Sequence, residues 1–204
     1  MVKKSKAMLT GAVEGGGTKF VCAVYEWNDA TGIPEQLAVC RIPTTTPEAT
    51  LHACISFFNE QQKKGLTLEA TGIAMFGPLQ LDRHDPGWGS TVSTPKPGWS
   101  NIPIASPFRE ATGTEVAIDT DVTAAAMAEY QWGAALHEPV VCYLTVGTGI
   151  GLGLLVEGRP LPGPARPEFG HIRIPHASQD LFPGICEFHG DCLEGLACGP
   201  ALAL

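Results

Sequence analysis

The order of apolar and polar residues along the first 80 positions predicts a series of strands and one helix. Short apolar runs bounded by glycine, proline or polar residues are typical of strands. Between residues 47 and 64 the apolar spacing becomes helical, with Thr46 in the position of a cap and one face formed by Leu51, Cys54, Ile55 and Phe58. The strands are predicted at residues 7–13, 20–25, 37–43 and 70–76, the last of which ends at Gly77-Pro78.

The second half of the chain continues this alternation. A loop rich in glycine, proline and tryptophan, residues 82–101, is longer than a simple connection, so we predict that it is functional or a lid. Beyond it the pattern predicts helices at residues 104–112 and 122–132 and strands at 116–118, 140–146 and 149–156. Alternating strands and helices predict an α/β fold. We place a domain boundary near Thr114, which gives an N-terminal domain 1–114 and a second domain 115–204.

Composition limits the classes of function. The chain has 204 residues, of which 44% are hydrophobic and 17% charged, and its net charge is −8. Because the basic residues are scattered, we expect no nucleic-acid partner. No apolar run is long enough to span a bilayer or to act as a signal peptide, so we expect no membrane partner and a cytoplasmic location. An odd number of cysteines, seven, favours free thiols and metal binding over a disulfide framework.

Three soft or borderline metal ligands, Cys186, His189 and Cys192, lie within seven positions. A tetrahedral Zn²⁺ site closed by four protein ligands is structural, and either His171 or His176 could supply the fourth. Taken one at a time, such residues are more often packed cysteines and surface histidines, and their clustering is what favours zinc. Two carboxylates, Glu168 and Glu194, flank the segment, so a polar ligand site overlaps the predicted metal site.

Two glycine-rich turns are candidates for binding phosphate. The first glycine turn consists of Gly15, Gly16, Gly17, Thr18 and Lys19, and the second of Gly147, Thr148 and Gly149. Small residues let the backbone approach an anion closely, and the Thr18 and Lys19 side chains can donate to phosphate oxygens. The first turn leads into a strand, so it is not a P-loop, and a plain hairpin turn is the alternative. Two such turns in one α/β chain suggest a phosphate held between two lobes.

Asp121 lies at the start of a predicted helix, directly after a predicted strand. There it is either a helix N-cap or a carboxylate whose charge the helix-start amides stabilise. In the second case it could take a proton from an attacking hydroxyl, as a general base does in phosphoryl transfer.

Five motifs in this order resemble the ROK family of sugar kinases, and within it the bacterial fructokinase branch: GAVEGGGTKF, IDTDVTAAAMAEYQWGA, TVGTGIGLGLLVEGRPLPG, EFGHI and CEFHGDCLEGLACGPA. The TPKPGW sequence in the long loop is similar to that branch as well. The resemblance covers nearly the whole chain. It implies an actin-like ATPase fold, of the hexokinase-like and ribonuclease H-like type, in which two α/β domains flank a sugar-binding cleft.

The resemblance also implies a role for each candidate residue. Asp121 is then the catalytic base, and ATP is the phosphoryl donor. The charge of the transferred phosphoryl group implies Mg²⁺ as a cofactor. Glu14 is a candidate outer-shell carboxylate for this ion, and a solvated glutamate at a strand end is the alternative. The nucleotide phosphates are expected to contact Gly15, Gly16, Gly17, Thr18, Lys19, Thr148 and Gly149. The sugar is expected to contact Gly77, Asp121, Glu168, His171 and Glu194. Zinc is expected to bind His171, Cys186, His189 and Cys192, which selects His171 over His176. A homodimer is expected for full-length relatives.

The chain departs from the family pattern in two places. Thr123 stands where the family has asparagine after the Asp-Val pair, so a contact near the sugar is altered. Family members continue for roughly another hundred residues beyond the position of Leu204, so we expect a C-terminally truncated chain with an incomplete second domain.

The resemblance implies ATP-dependent phosphorylation of a hexose, D-fructose to D-fructose 6-phosphate. Glucokinase or mannokinase activity is one alternative. A truncated, non-catalytic sugar-binding or regulatory protein of the family is another, and a purely structural zinc module is a third.

Overall fold

The computed structural model describes residues 8–27, 31–161 and 166–204. Their internal contacts divide them into two units, the described residues up to Asp121 and those from Val122 onwards. The first residue of the predicted strand 7–13, and residues 1–7 and 28–30 of the predicted N-terminal domain, lie outside the described part. No helix in that part combines the length and hydrophobicity needed to cross a bilayer.

The first unit is built on a five-stranded sheet in the order β3-β2-β1-β4-β5. Strands β1, β2 and β3 are antiparallel neighbours, whereas β4 and β5 run parallel to β1. Two helices, α1 and α2, belong to the same unit. The elements are β1 Met8–Gly15, β2 Lys19–Trp27, β3 Pro34–Pro43, α1 Pro47–Lys63, β4 Ala70–Met75, α2 Ala105–Thr112 and β5 Glu115–Thr120. Every strand and helix predicted in this part of the sequence is present, with ends shifted by at most three residues.

Helix α1 covers the sheet through the apolar face that the sequence predicts. Its cap is Thr46, whose side-chain oxygen accepts a hydrogen bond from the Ala49 amide, and proline occupies the first turn, where its missing N–H costs nothing. Phe58 is fully buried and meets Phe108 of α2 edge to face, with ring centroids 6.1 Å apart. The core of this unit therefore lies between the sheet and the two helices.

The long loop is tied into this core through Trp99, which is fully buried. Its ring stacks on Phe20 at a centroid distance of 5.4 Å and meets Phe76 edge to face at 5.6 Å. The indole N–H donates to the carbonyl of Thr45 at 3.0 Å. A buried tryptophan with a satisfied N–H fixes its own segment strongly, so the TPKPGW part of the loop is a fixed element of the first unit.

The second unit contains a three-stranded antiparallel sheet in the order β6-β7-β8. Helix α3 starts at Asp121, the last residue of the first unit, and packs Ala126 against Val141 and Leu155 of this sheet. A Cβ at Gly153 would overlap the Val122 carbonyl, so glycine lets helix and sheet approach closely. The elements are α3 Asp121–Trp132, β6 Val140–Val146, β7 Ile150–Val156, β8 Arg159–Pro160, a 3₁₀ turn Phe169–His171, α4 Leu193–Ala197 and α5 Gly199–Leu202.

The domain boundary near Thr114 remains a prediction. Strand β5 begins one residue after it and pairs with β4 along its whole length, from Ala70↔Glu115 to Met75↔Thr120. This pairing favours keeping β5 with the first sheet. The short elements β8, α4, α5 and the 3₁₀ turn were not among the predicted elements.

Candidate functional site

Three candidate elements follow the carboxyl ends of three neighbouring parallel strands. Gly15 ends β1, Gly77 comes two residues after the end of β4, and Asp121 comes directly after β5. At these ends Gly15 pairs with Met75, and Met75 pairs with Thr120. Paired strands lie about 4.8 Å apart, so the sheet brings the first glycine turn, Gly77 and Asp121 to one edge. We call this the carboxyl edge, and in open α/β sheets ligands bind at such an edge.

Three central carbonyl groups of the first glycine turn are held by donors from elsewhere in the first unit. The Thr44 hydroxyl donates to Gly16 O at 2.7 Å, and the Thr44 amide donates to Thr18 O at 3.0 Å. The Lys96 ammonium donates to Gly17 O at 2.6 Å. The negative ends of these three peptide groups are therefore already occupied.

Two amide groups of the same turn, those of Gly17 and Thr18, remain open, whereas the Gly16 amide donates to Lys19 O at 2.9 Å. Within the described part of the chain, no protein acceptor takes the N–H of Gly17 or of Thr18. A Cβ at Gly17 would meet no atom within 4 Å, whereas one at Gly15 would overlap Met75 and the Phe20 ring. Bound carbonyls and open amides make a turn that attracts an anion.

Asp121 is partly buried and opens helix α3. Its neighbour Asp119 is engaged locally, because its Oδ1 accepts the Thr120 amide at 2.8 Å. The first turn of a helix carries a partial positive charge that stabilises a carboxylate. Asp121 therefore places a carboxyl group at the carboxyl edge, in the first turn of a helix, where negative charge is stabilised.

In the second unit, Glu194 lies against the second glycine turn. Its Oε2 accepts the Ile150 amide at 2.8 Å, and a Cβ at Gly149 would lie 2.6 Å from that oxygen. The Gly199 amide donates to Gly147 O at 2.7 Å. Contacts from helices α4 and α5 thus fix the second glycine turn, on which Thr148 is exposed. Glu194, a predicted sugar ligand, therefore contacts a turn that is predicted to bind phosphate.

Glu168 precedes the 3₁₀ turn and His171 is its last residue, and the His171 amide donates to Glu168 O at 3.0 Å. Partial burial raises the pKa of the Glu168 carboxyl, His171 lowers it, and the Glu194 carboxylate raises it. The side chain nevertheless keeps part of its surface exposed. Glu168 is therefore close enough to His171 and to Glu194 for their charges to affect its carboxyl group.

The four predicted zinc ligands converge in the structure. One donor atom from each of them lies within 4.8 Å of the others, and we call them the Cys/His group: His171, Cys186, His189 and Cys192. Cys186 Sγ lies 3.7 Å from His171 Nδ1 and 3.8 Å from His189 Nδ1, and Cys192 Sγ lies 3.5 Å from His171 Nδ1. His176 lies elsewhere, between Asp180 at 3.4 Å and Asp191 at 3.3 Å.

These spacings fit a tetrahedral metal ion. With Zn–S bonds of about 2.3 Å and Zn–N bonds of about 2.0 Å, the sulfur–nitrogen edge of a tetrahedron is about 3.5 Å. The three measured sulfur–nitrogen distances, 3.7, 3.8 and 3.5 Å, are close to that edge. Two thiolates and two imidazoles are also a donor set that zinc prefers, so the residues fit the metal.

Two contacts at the first glycine turn involve residues absent from the predicted site. Thr44 has no sequence signal that distinguishes it from its neighbours Thr45 and Thr46. Lys96 has one, since it is a cation between two prolines in a loop that the sequence marks as functional. The sequence predicts that the loop of residues 82–101 is functional, and the structure shows that Lys96 is the side chain of this loop that contacts the first glycine turn.

Comparisons with known proteins agree with the fold and with the sequence motifs described above. A model of the ROK family matches residues 10–204. The chain is 47% identical to a fructokinase of Zymomonas mobilis, over 98% of this chain and 65% of that protein. The structure of a ROK hexokinase from Thermus thermophilus matches with a TM-score of 0.72 and 33% identity, over 96% of this chain and 62% of that one. A ROK family glucokinase from Streptomyces griseus, solved in complex with glucose and AMPPNP, matches with a TM-score of 0.70 and 27% identity, over 97% and 59%.

The chain thus spans 65% of the length of that fructokinase and about as much of the two solved structures. The family match covers nearly all of the chain and agrees with the sheet order and the motifs. The chain belongs to the ROK family and has the actin-like, hexokinase-like ATPase fold of that family.

Proposed function

We propose that the protein containing this chain transfers the γ-phosphoryl group of ATP to a hexose, D-fructose in the first place, and forms D-fructose 6-phosphate. One observation carries the proposal: the first glycine turn, Gly77 and Asp121 share the carboxyl edge. The turn follows β1 and Asp121 follows β5, with β4 between these two strands. An anion-binding turn and a carboxylate base at one edge of a sheet are the two parts that phosphoryl transfer to an alcohol needs. The 47% identity to a fructokinase supports fructose over glucose as acceptor.

The first glycine turn is proposed to bind the nucleotide phosphates through the open amides of Gly17 and Thr18. Hydrogen bonds from amides to a charged phosphate are shorter and stronger than those between neutral groups. The AMPPNP complex of the Streptomyces griseus glucokinase supports a nucleotide as the donor. In the second unit, the exposed Thr148 and the neighbouring Gly149 are the proposed phosphate contacts.

Asp121 is proposed to be the general base. As the hexose hydroxyl oxygen bonds to the γ-phosphorus, the bond from that phosphorus to the β–γ bridging oxygen breaks, the hydroxyl proton passes to the Asp121 carboxylate, and ADP leaves. When bound, Mg²⁺ supplies neutralisation of the phosphate charge, and Glu14, exposed on the strand that leads into the first glycine turn, is the proposed outer-shell partner. Asp121 itself orients the hydroxyl by accepting its hydrogen bond.

Glu168, His171 and Glu194 are proposed to bind sugar hydroxyls. A carboxylate can accept hydrogen bonds from two neighbouring hydroxyls. Glu194 has one oxygen engaged by the Ile150 amide at 2.8 Å, which fixes the direction of the other oxygen. The raised pKa of Glu168 reflects burial and the second carboxylate beside it, and hydrogen bonds from hydroxyls to its charged form would offset that cost.

We propose that the Cys/His group holds Zn²⁺ and that the ion stabilises this part of the second unit without taking part in the chemistry. The four donors leave no open position for a substrate. Imidazole can bind metal through one nitrogen and hydrogen-bond through the other. His171, which lies 3.5 Å and 3.7 Å from the two sulfurs through Nδ1, would then present Nε2 to a sugar hydroxyl. Homodimer formation remains a prediction from the resemblance, and a cytoplasmic location remains a prediction from the sequence.

The proposal is tested by ADP release with a panel of hexoses, using the complete reading frame that contains this chain. We expect kcat/KM for fructose to exceed that for glucose and mannose. The preference depends on hydroxyl contacts, because a site that hydrogen-bonds a substrate hydroxyl discriminates strongly against a sugar that places no hydroxyl there. A preference for glucose would contradict the choice of fructose. Fructose binding without ADP release would favour a non-catalytic sugar-binding protein.

A further inference from the structure

The segment from Thr94 to Trp99 packs directly against the first glycine turn. Trp99 anchors it in the core by stacking on Phe20, which follows the turn in β2. The Trp99 amide donates to Lys96 O at 3.1 Å, and the Lys96 amide donates to Thr94 Oγ1 at 3.3 Å. The backbone of Lys96 is thus fixed on both sides. Prolines at the two neighbouring positions restrict it further.

This anchoring delivers the Lys96 ammonium to the turn. Its Nζ lies 2.6 Å from Gly17 O, although 79 residues separate the two in sequence. Among the described residues, no carboxylate forms an ion pair with Lys96. Lys96 is half-buried, and its contact with Gly17 O lies at the surface. An ammonium group has three donors, of which this contact uses one. Two of those donors remain for another acceptor.

The hydrogen-bonding groups left open near this contact are all donors. The amides of Gly17 and Thr18 have no protein acceptor within the described part of the chain, and Lys96 is bound to the carbonyl of the Gly17–Thr18 peptide. Lys19, the cation of the motif itself, is exposed and has no contact that fixes its ammonium among the described residues. The positioned positive charge at the turn is therefore that of Lys96.

We propose that Lys96 contacts the terminal phosphate of the phosphoryl donor at the first glycine turn, and that it supplies the positive charge there. The identity of that phosphate rests on the proposed function. The ammonium bridges the turn and the phosphate: one N–H holds Gly17 O, and the others donate to phosphate oxygens. Lysine serves such sites as a point charge. The alternative is that Lys96 only braces the turn.

The test compares inorganic tripolyphosphate with AMP by titration calorimetry on the complete protein. AMP lacks the β- and γ-phosphates, so its binding reports on the rest of the nucleotide site. For Lys96→Met we expect tripolyphosphate binding to weaken by about tenfold or more, since a charge-assisted hydrogen bond is lost, and AMP binding to stay within about twofold. Lys96→Arg, which keeps the charge, should recover part of the affinity. Lys64→Met is the matched control, because Lys64 is exposed at the end of α1.

Each outcome decides the question. Equal weakening of both ligands by Lys96→Met would mean that Lys96 only shapes the turn, and the proposal would be wrong. Unchanged tripolyphosphate binding, or none by the wild-type protein, would overturn it as well. Tripolyphosphate binding that depends on Lys96, in a protein that phosphorylates no hexose, would instead refute the proposed function and leave the role of Lys96 standing. The urea midpoints of the variants verify folding.

Discussion

Replacing Asp121 by asparagine is expected to lower kcat for fructose phosphorylation by about 10²- to 10⁴-fold, the usual contribution of a positioned general base. Asparagine has the size of aspartate and can still hydrogen-bond a hydroxyl, but it cannot take the proton. Fructose and nucleotide affinities should therefore change little. Initial rates of ADP release give kcat, and calorimetric titration gives both affinities.

Asp119→Asn is the matched control for this prediction. Asp119 lies two residues before Asp121, near the end of β5, and its Oδ1 accepts a hydrogen bond from the Thr120 amide at 2.8 Å. Asparagine can keep that hydrogen bond through its side-chain oxygen, so activity should remain within a few-fold of wild type. Retention of wild-type kcat by Asp121→Asn would contradict the role of Asp121. Loss of fructose binding together with kcat would point to a role in sugar binding alone.

Cys192→Ser is expected to reduce the zinc content from one ion per chain to near zero. Serine is a poor ligand for zinc compared with a thiolate. Losing a direct ligand should reduce metal affinity by more than the roughly 10- to 100-fold seen when an outer hydrogen-bond partner of a metal ligand is removed. The variant should also unfold at a lower temperature, because metal binding contributes free energy of folding. Elemental analysis and thermal unfolding, with and without a chelator, measure both effects.

The control for the zinc prediction is Cys142→Ser. Cys142 is an exposed cysteine on β6 and is not part of the Cys/His group. Its replacement should leave the zinc content and the unfolding temperature near the wild-type values. A wild-type protein without zinc after purification and reconstitution, or a Cys192→Ser variant that keeps it, would contradict the metal site. An increase in the KM for fructose in the Cys192→Ser variant would support the role of zinc in orienting His171.

Features of the fold that depend on local patterns were predictable. The Thr46 cap and the apolar face of α1 follow from residues three or four positions apart, and the structure confirms both. Strands β6 and β7 also lie where the sequence places them, within one residue. The short helices α4 and α5 were missed because elements of five and four residues carry no period to detect.

Features that depend on distant residues were not predictable from pattern alone. The pairing of β5 with β4 is one example, since sheet order is a tertiary property that the spacing of apolar residues does not encode. The contact of Glu194 with the Ile150 amide, across 44 residues, is another. For the Cys/His group the spacing named three ligands and left the fourth open, the resemblance implied His171, and the geometry groups His171 with the other three.

The central claim, that the protein containing this chain transfers a phosphoryl group from ATP to fructose, is tested most directly by identifying the product. Phosphorus NMR of a reaction of the complete protein with ATP, Mg²⁺ and fructose distinguishes fructose 6-phosphate from fructose 1-phosphate and inorganic phosphate. We expect one equivalent of fructose 6-phosphate for each ADP formed. Inorganic phosphate alone, or no ADP from a folded protein that binds fructose, would contradict the claim.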